Sequence, residues 1–417
     1  MKKTLTLIFA AWLFAACGSI TNATTDQTNP VPEETPPEQA EGGESSEPYT
    51  ATHPADSAIP LGDTAAVFNS DWIVGNVSTI ELANPTDALL ARITTDGSDA
   101  VLRSAGGRIY ALNRFGTDTV QVINPSDFTV AGNYSVGKNS NPQDIVVVSD
   151  DKAYISRLDS QADAENTDDV IIVNPISGAL LGSIDLKPYT TDDGDRLARA
   201  AQMVFVDGLV YVCMQDLPSN LADPADTNGK VAIIDSETDE IVDADPETPG
   251  IQVVELAGRN PSDMTYSPLT DKFYVANTGP YDPFPTVDTS SAFGGIEVFR
   301  RDGEGYVNEG IVVDDADLGG GVNEVRIASA SLGYTITNST TVAAFNPESY
   351  EVVDVNVYET PGFFLPDFTI DRNGRILVAE QDFGGPGVVF LDLNGAVIAG
   401  PTEVGAPPAS ITFVDAK

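Results

Sequence analysis

The chain has 417 residues and a formal net charge of −42, from 63 acidic against 21 basic side chains, with one histidine and two cysteines. A field of that sign repels nucleic acid and anionic headgroups and attracts cations, so nucleic-acid partners are excluded. So few histidines and cysteines exclude thiolate zinc, iron–sulfur and multi-histidine metal sites.

The N-terminus begins with Lys2 and Lys3, continues in an apolar run over residues 5–16 broken by Thr6, and reaches the small pair Ala15 and Ala16 before Cys17. As a helix that run rises only about 18 Å, short of a hydrocarbon core of roughly 30 Å. Residues 1–16 therefore read as a cleaved export signal. The series Leu13-Phe14-Ala15-Ala16-Cys17-Gly18 resembles the lipobox of bacterial lipoproteins, which implies that Cys17 is lipidated and anchors the chain to a membrane. Residues 17–60 are rich in Thr, Pro, Glu, Ser and Gly and lack apolar periodicity, the composition of a disordered tether. The only histidine, His53, falls in this tether, so a Ser-His-Asp triad in the folded body is excluded. The expected location is the cell envelope, with Gly18 after the lipidated cysteine leaning toward the outer membrane of a Gram-negative host.

Residues 61–417 carry an internal repeat, which is the first thing to seek in a chain of this length. One unit runs from Asp99 through Arg108-Ile-Tyr-Ala-Leu-Asn113 and Thr119-Val-Gln-Val-Ile-Asn-Pro125 to Tyr134-Ser-Val136, four short strands rich in β-branched and aromatic residues. Second strands recur at Lys152-Ala-Tyr-Ile155, Leu209-Val-Tyr-Val212, Lys272-Phe-Tyr-Val-Ala-Asn277, Gly333-Tyr-Thr-Ile336 and Arg375-Ile-Leu-Val378. First strands begin near Asp99, Asp144, Gln202, Asp263, Glu324, Asp367 and Ser410, and the last has no three strands after it. Trp72-Ile-Val74, residues 77–82 and residues 89–93 supply three strands without a first. The two fragments complete one another. The expected fold is all-β, a seven-bladed β-propeller closed by one C-terminal and three N-terminal strands, which removes the open sheet edge.

Tyr274-Val-Ala-Asn-Thr-Gly279, Tyr110-Ala-Leu-Asn113 and Tyr334-Thr-Ile-Thr337 resemble the Tyr-Val-Thr-Asn motif of YVTN-repeat β-propellers, over about residues 65–417. Cys213-Met214 and Glu380-Gln381 depart from the motif. The resemblance implies the fold and leaves the function open, because that family includes surface and periplasmic proteins of varied role.

The three central units are longer than the rest, mostly between strands two and three and between one blade and the next. Strands alternate in direction, so these insertions are expected to share one face, the place where binding loops usually sit. Asp163, Asp192, Asp193, Asp195 and Asp226 make the insertions acidic, and Tyr281 and Phe284 add apolar contacts for a protein or glycan. A second candidate comes from the aligned strand starts. Asp99, Asp144, Asp263, Glu324 and Asp367 would circle the channel mouth as ligands for a divalent cation such as Ca²⁺, whose preference is for oxygen donors. The plainer alternative is that each carboxylate accepts backbone N–H groups at its own turn. Solubility in a salty environment is equally a plain account of the acidity. Two functions remain open: a monomeric binding or scaffold lipoprotein using the long-loop acidic face, and a divalent-cation-dependent, lactonase-like hydrolase at the channel mouth.

Overall fold

The computed structural model describes residues 62–159, 168–191, 196–218, 227–281, 287, 289–290 and 292–414. Their strands form seven four-stranded antiparallel sheets arranged around one axis, and no α-helix occurs among them. The innermost strands are Ala100–Ala105, Pro142–Ser149, Ala200–Val206, Pro261–Ser267, Val322–Ser329, Phe364–Ile370 and Pro408–Val414, each beside the inner strand of the next sheet. This is a seven-bladed β-propeller. We refer to the blades beginning at Ala100, Pro142, Ala200, Pro261, Val322 and Phe364 as blades one to six, and to the closing blade as the seventh.

Closure follows the expected arithmetic with one correction. Pro408–Val414 pairs antiparallel with Thr64–Ser70, matching Ala65 to Phe413 and Val67 to Ile411, and Gly75–Glu81 and Ala88–Thr94 complete the sheet. The first N-terminal strand is thus Thr64–Ser70, not Trp72-Ile-Val74. Asp71 is the reason. Its Oδ1 accepts the N–H groups of Ile73 at 2.9 Å and Val74 at 2.8 Å, and Trp72 adopts φ +69°, so the segment turns instead of extending.

Second and third strands are buried almost without interruption, because each blade is packed on both faces by its neighbours. Seven hydrophobic clusters fill the seven blade interfaces. At the seam, Leu377, Ala379, Val388 and Phe390 of blade six meet Ala65, Val67, Ile411 and Phe413 of blade seven. Cys213, in the second strand of blade three, is buried in one of these interfaces. Burial pushes its thiol well above the usual range, so it serves as core.

The repeat tyrosine has a shared task. Buried in its own blade, it sends its hydroxyl into the next one. Tyr274 donates to the Pro347 carbonyl at 3.2 Å, Tyr334 to the Leu393 carbonyl at 2.6 Å, and Tyr154 bonds Asp239. Blade six has Leu377 in this place, and there the guanidinium of Arg375 reaches the Leu82 carbonyl of blade seven at 2.8 Å.

Candidate functional site

The connections between strands two and three, and those leading into each inner strand, emerge on one face, which we call the mouth. A two-stranded ribbon demonstrates this: Arg196–Leu197, before blade three, pairs with Leu217–Pro218, inside it. The buried Arg196 and Arg199 brace it, Arg196 donating to the Asp216 carbonyl at 2.6 Å and Arg199 pairing with Asp159. Of the residues expected on the binding loops, Tyr281 is placed here, in a bridge with Val287 and on the wall of the axial cavity. Asp163, Asp192, Asp193, Asp195, Asp226 and Phe284 lie outside the described residues, as does Cys17.

The mouth narrows into an axial cavity of about 390 Å³ to which all seven blades contribute, with Trp72, Asp99, Arg114, Phe115, Tyr281 and Phe364 among its walls. At its neck, one side chain per blade occupies an equivalent position on the inner strand. Alignment on the second strands gives Val101, Asp144, Gln202, Asp263, Glu324, Asp367 and Ser410. Asp99 does not belong to this ring. It sits two residues earlier, nearer the opening, where Arg114 pairs with it at 2.6 Å.

Five of the seven ring side chains accept an N–H from the inner strand of the following blade. Asp144 accepts from Met203 at 2.8 Å, Asp263 from Val325 at 2.9 Å, Glu324 from Phe368 at 3.1 Å, Asp367 from Ile411 at 2.6 Å and Ser410 from Leu102 at 3.1 Å. The expected backbone bonding is present, but it joins neighbouring blades instead of closing each blade's own turn. Asp144 alone also bonds its own Ile145 N–H, at 2.9 Å. Inner strands run side by side without a ladder between them, so their inward N–H groups need another acceptor, and the ring supplies it.

Two arginines, each two residues beyond a ring position, fold across the neck from opposite sides. Arg103 binds Asp144 at 2.6 Å and Gln202 at 2.8 Å. Arg326 binds Asp263 at 2.5 Å, with Glu324 at 3.9 Å and Asp367 at 4.0 Å from its other nitrogen. Burial raises the carboxyl of Asp144, and Arg103 opposes the rise. Burial, with the negative charges of Asp367 and Asp263, pushes Glu324 well above the carboxylate range, and burial raises Asp367 against the pull of Arg326. Three carboxylates thus share one guanidinium. Sequence reading placed the acids and missed the arginines, although Val101-Leu-Arg103 and Glu324-Val-Arg326 put them in the same repeat position.

No group of three or more histidine, cysteine, aspartate or glutamate side chains among the described residues is arranged to hold a metal ion. Asp99, Asp144, Asp263, Glu324 and Asp367 divide among three arginines, and three of the five converge on Arg326.

No protein-family model and no curated protein matches the sequence. Among solved structures the chain is similar to AztD of Citrobacter koseri, at 11% identity and a TM-score of 0.46 over 84% of this chain and 96% of that one. BamB of Moraxella catarrhalis matches at 11% identity and a TM-score of 0.42, covering 81% of each chain. The WD40 β-propeller domain of Doa1 matches at 11% identity and 0.43, over 69% of this chain and 77% of that one. Likeness at these identities is one of fold alone.

Proposed function

We propose that the chain is a non-enzymatic binding or scaffold lipoprotein of the cell envelope that meets its partner with the mouth of the propeller. One contrast carries this reading. Each neck carboxylate gives one oxygen to an inner-strand N–H of the next blade, a structural task, whereas the rim above them leaves large apolar side chains in solvent: Trp72 is 50% exposed, Ile73 83% and Phe383 72%. Exposed apolar groups gathered at a concave mouth mark an interaction surface more than a reaction centre.

The tether position supports the same use. Thr64 pairs with Val414, at the end of the inner strand opposite the mouth, so the chain enters the body from the far face. Anchored through Cys17 and residues 17–60, the propeller would present its mouth away from the membrane. The tyrosine repeats remain similar to YVTN propellers, which agrees with a place in the envelope.

A photo-reactive residue at Phe115, on the mouth, and another at Ser331, on a turn of the opposite face, test the reading in producing cells. A discrete adduct from position 115 and none from position 331 is expected. Adducts from neither position, or equally from both, would overturn it. A saturable calorimetric signal on calcium titration, with an upward thermal shift, would favour the cation-dependent hydrolase instead.

A further inference from the structure

Among the described residues, the phenylalanine and tryptophan side chains that are more than a third exposed are Trp72, Phe115 and Phe383. All three sit in the same loop, between the second and third strands, of three consecutive blades: Phe383 in blade six, Trp72 in blade seven and Phe115 in blade one. Phe383 stacks on Phe363 of the adjoining connection with ring centroids 4.5 Å apart, which widens the apolar crescent. Trp72 and Phe115 are held at φ +69° and +57°, a left-handed conformation unfavourable for bulky residues and maintained where the surroundings impose it. For Trp72 the surroundings are visible: Ser70 Oγ accepts its N–H at 2.9 Å while donating to the Ser98 carbonyl at 2.7 Å. The backbone is held there, and the indole stands half in solvent.

Below the crescent lies the acidic neck. The Glu324 oxygen that does not accept the Phe368 N–H stands 3.9 Å from Arg326, and the Asp367 oxygen that does not accept the Ile411 N–H stands 4.0 Å away. With Asp263 also on Arg326, three acids face one guanidinium, while Arg103 and Arg114 on the same walls are taken up by Asp144, Gln202 and Asp99; the group lines the cavity to which Trp72 and Phe115 also belong. The chain as a whole carries a net charge of −42. An occupant must therefore be apolar where it meets the rim and cationic where it enters the neck. A volume of about 390 Å³ lies near the lower end of the range for ligand pockets, room for a side chain or two with a flanking segment outside.

We propose that the mouth docks a basic protein segment in which lysine or arginine alternates with bulky apolar residues, the apolar side chains lying on Trp72, Phe115 and Phe383 and one cationic head entering the neck beside Glu324 and Asp367. This rests on the mouth being the working face and adds the chemistry of the partner.

Trp72 supplies the readout. The chain has two tryptophans, so in a Trp12→Phe background Trp72 is the only one. Three synthetic twelve-residue peptides serve as probes: alternating arginine–leucine, arginine–serine and glutamate–leucine. The first should bind saturably and shift Trp72 emission to the blue. Phe383→Ser and the Glu324→Gln/Asp367→Asn double variant should each weaken binding on the order of tenfold, as loss of a central anchor does. Phe383 is exposed enough for its variant to leave folding intact. Arginine–serine binding as tight as arginine–leucine, without an emission shift and indifferent to Phe383→Ser, would reduce the effect to net charge and overturn the proposal. Equal binding of the glutamate–leucine peptide would overturn it as well. If cross-linking from position 115 still captures a partner while the peptides show no such preference, the partner chemistry is wrong and the working face stands; if both fail, the face is wrong too.

Discussion

Asp367 joins blade six to the inner strand of the closing blade, and its removal has a calculable effect. Its Oδ2 accepts the Ile411 N–H at 2.6 Å, joining blade six to the C-terminal strand, and both residues are buried, at 8% and 6% exposure. Asp367→Ala deletes a hydrogen bond to a charged acceptor and strands a buried N–H; such losses cost about 2–4 kcal/mol. Asp367→Asn keeps a carbonyl acceptor and removes one of three negative charges around Arg326. Its cost should stay below about 1 kcal/mol. For a folded body of about 350 residues, each kcal/mol moves the midpoint by roughly 1–2 °C, so the alanine variant should melt on the order of 3–6 °C lower. Calorimetry and urea unfolding on the wild type and both variants make the comparison. An alanine variant within about 0.5 kcal/mol of wild type, or an asparagine variant as damaged as alanine, would refute the interblade role of the ring.

Other outcomes follow from the same geometry. Glu324 has a folded-state pKa raised above its ordinary 4.5, so its contribution to stability is full below that value and is lost as pH rises through the folded-state value. Glu324→Gln should therefore be more stable than wild type at pH 8, with the gap closing toward pH 4 in thermal melts. Glu297 is fully engaged by donors: its carboxylate accepts the N–H groups of Ala257 at 2.6 Å and Gly258 at 2.9 Å, and the side-chain amides of Asn277 at 2.8 Å and Asn308 at 2.7 Å. Glu297→Gln turns an amide against these donors and should lose about 2 kcal/mol or more in urea unfolding. Tyr334→Phe should lose about 0.5–1.5 kcal/mol, because only its hydrogen bond to blade six is removed and the buried ring remains.

The ring count was legible because closure depends on repeats, and seven first strands with complementary end fragments admit little else. The boundary of the first strand was not. Trp72-Ile-Val74 has the composition of a strand, whereas Thr64–Ser70 is rich in small residues suited to packing between blades, and composition does not register a turn imposed by Asp71. Asp99 entered the ring for a similar reason, since an acid two residues early matches in type but not in register; anchoring on Tyr110 gives Val101 instead. The interblade partners were hidden because Asp144 and Met203, or Asp263 and Val325, are far apart in the chain and meet only in the assembled ring. The exposed aromatics were hidden too, as burial depends on neighbours that no single repeat contains.

Hydrogen exchange at the C-terminal strand tests the architecture on which the mouth depends. Amides of residues 409–414 that are bonded into the seventh sheet should exchange as slowly as those of Thr64–Ser70 and of the inner strands elsewhere, opening only with the whole body. Rapid exchange there, with the first N-terminal strand protected independently, would mean an open ring and no common mouth.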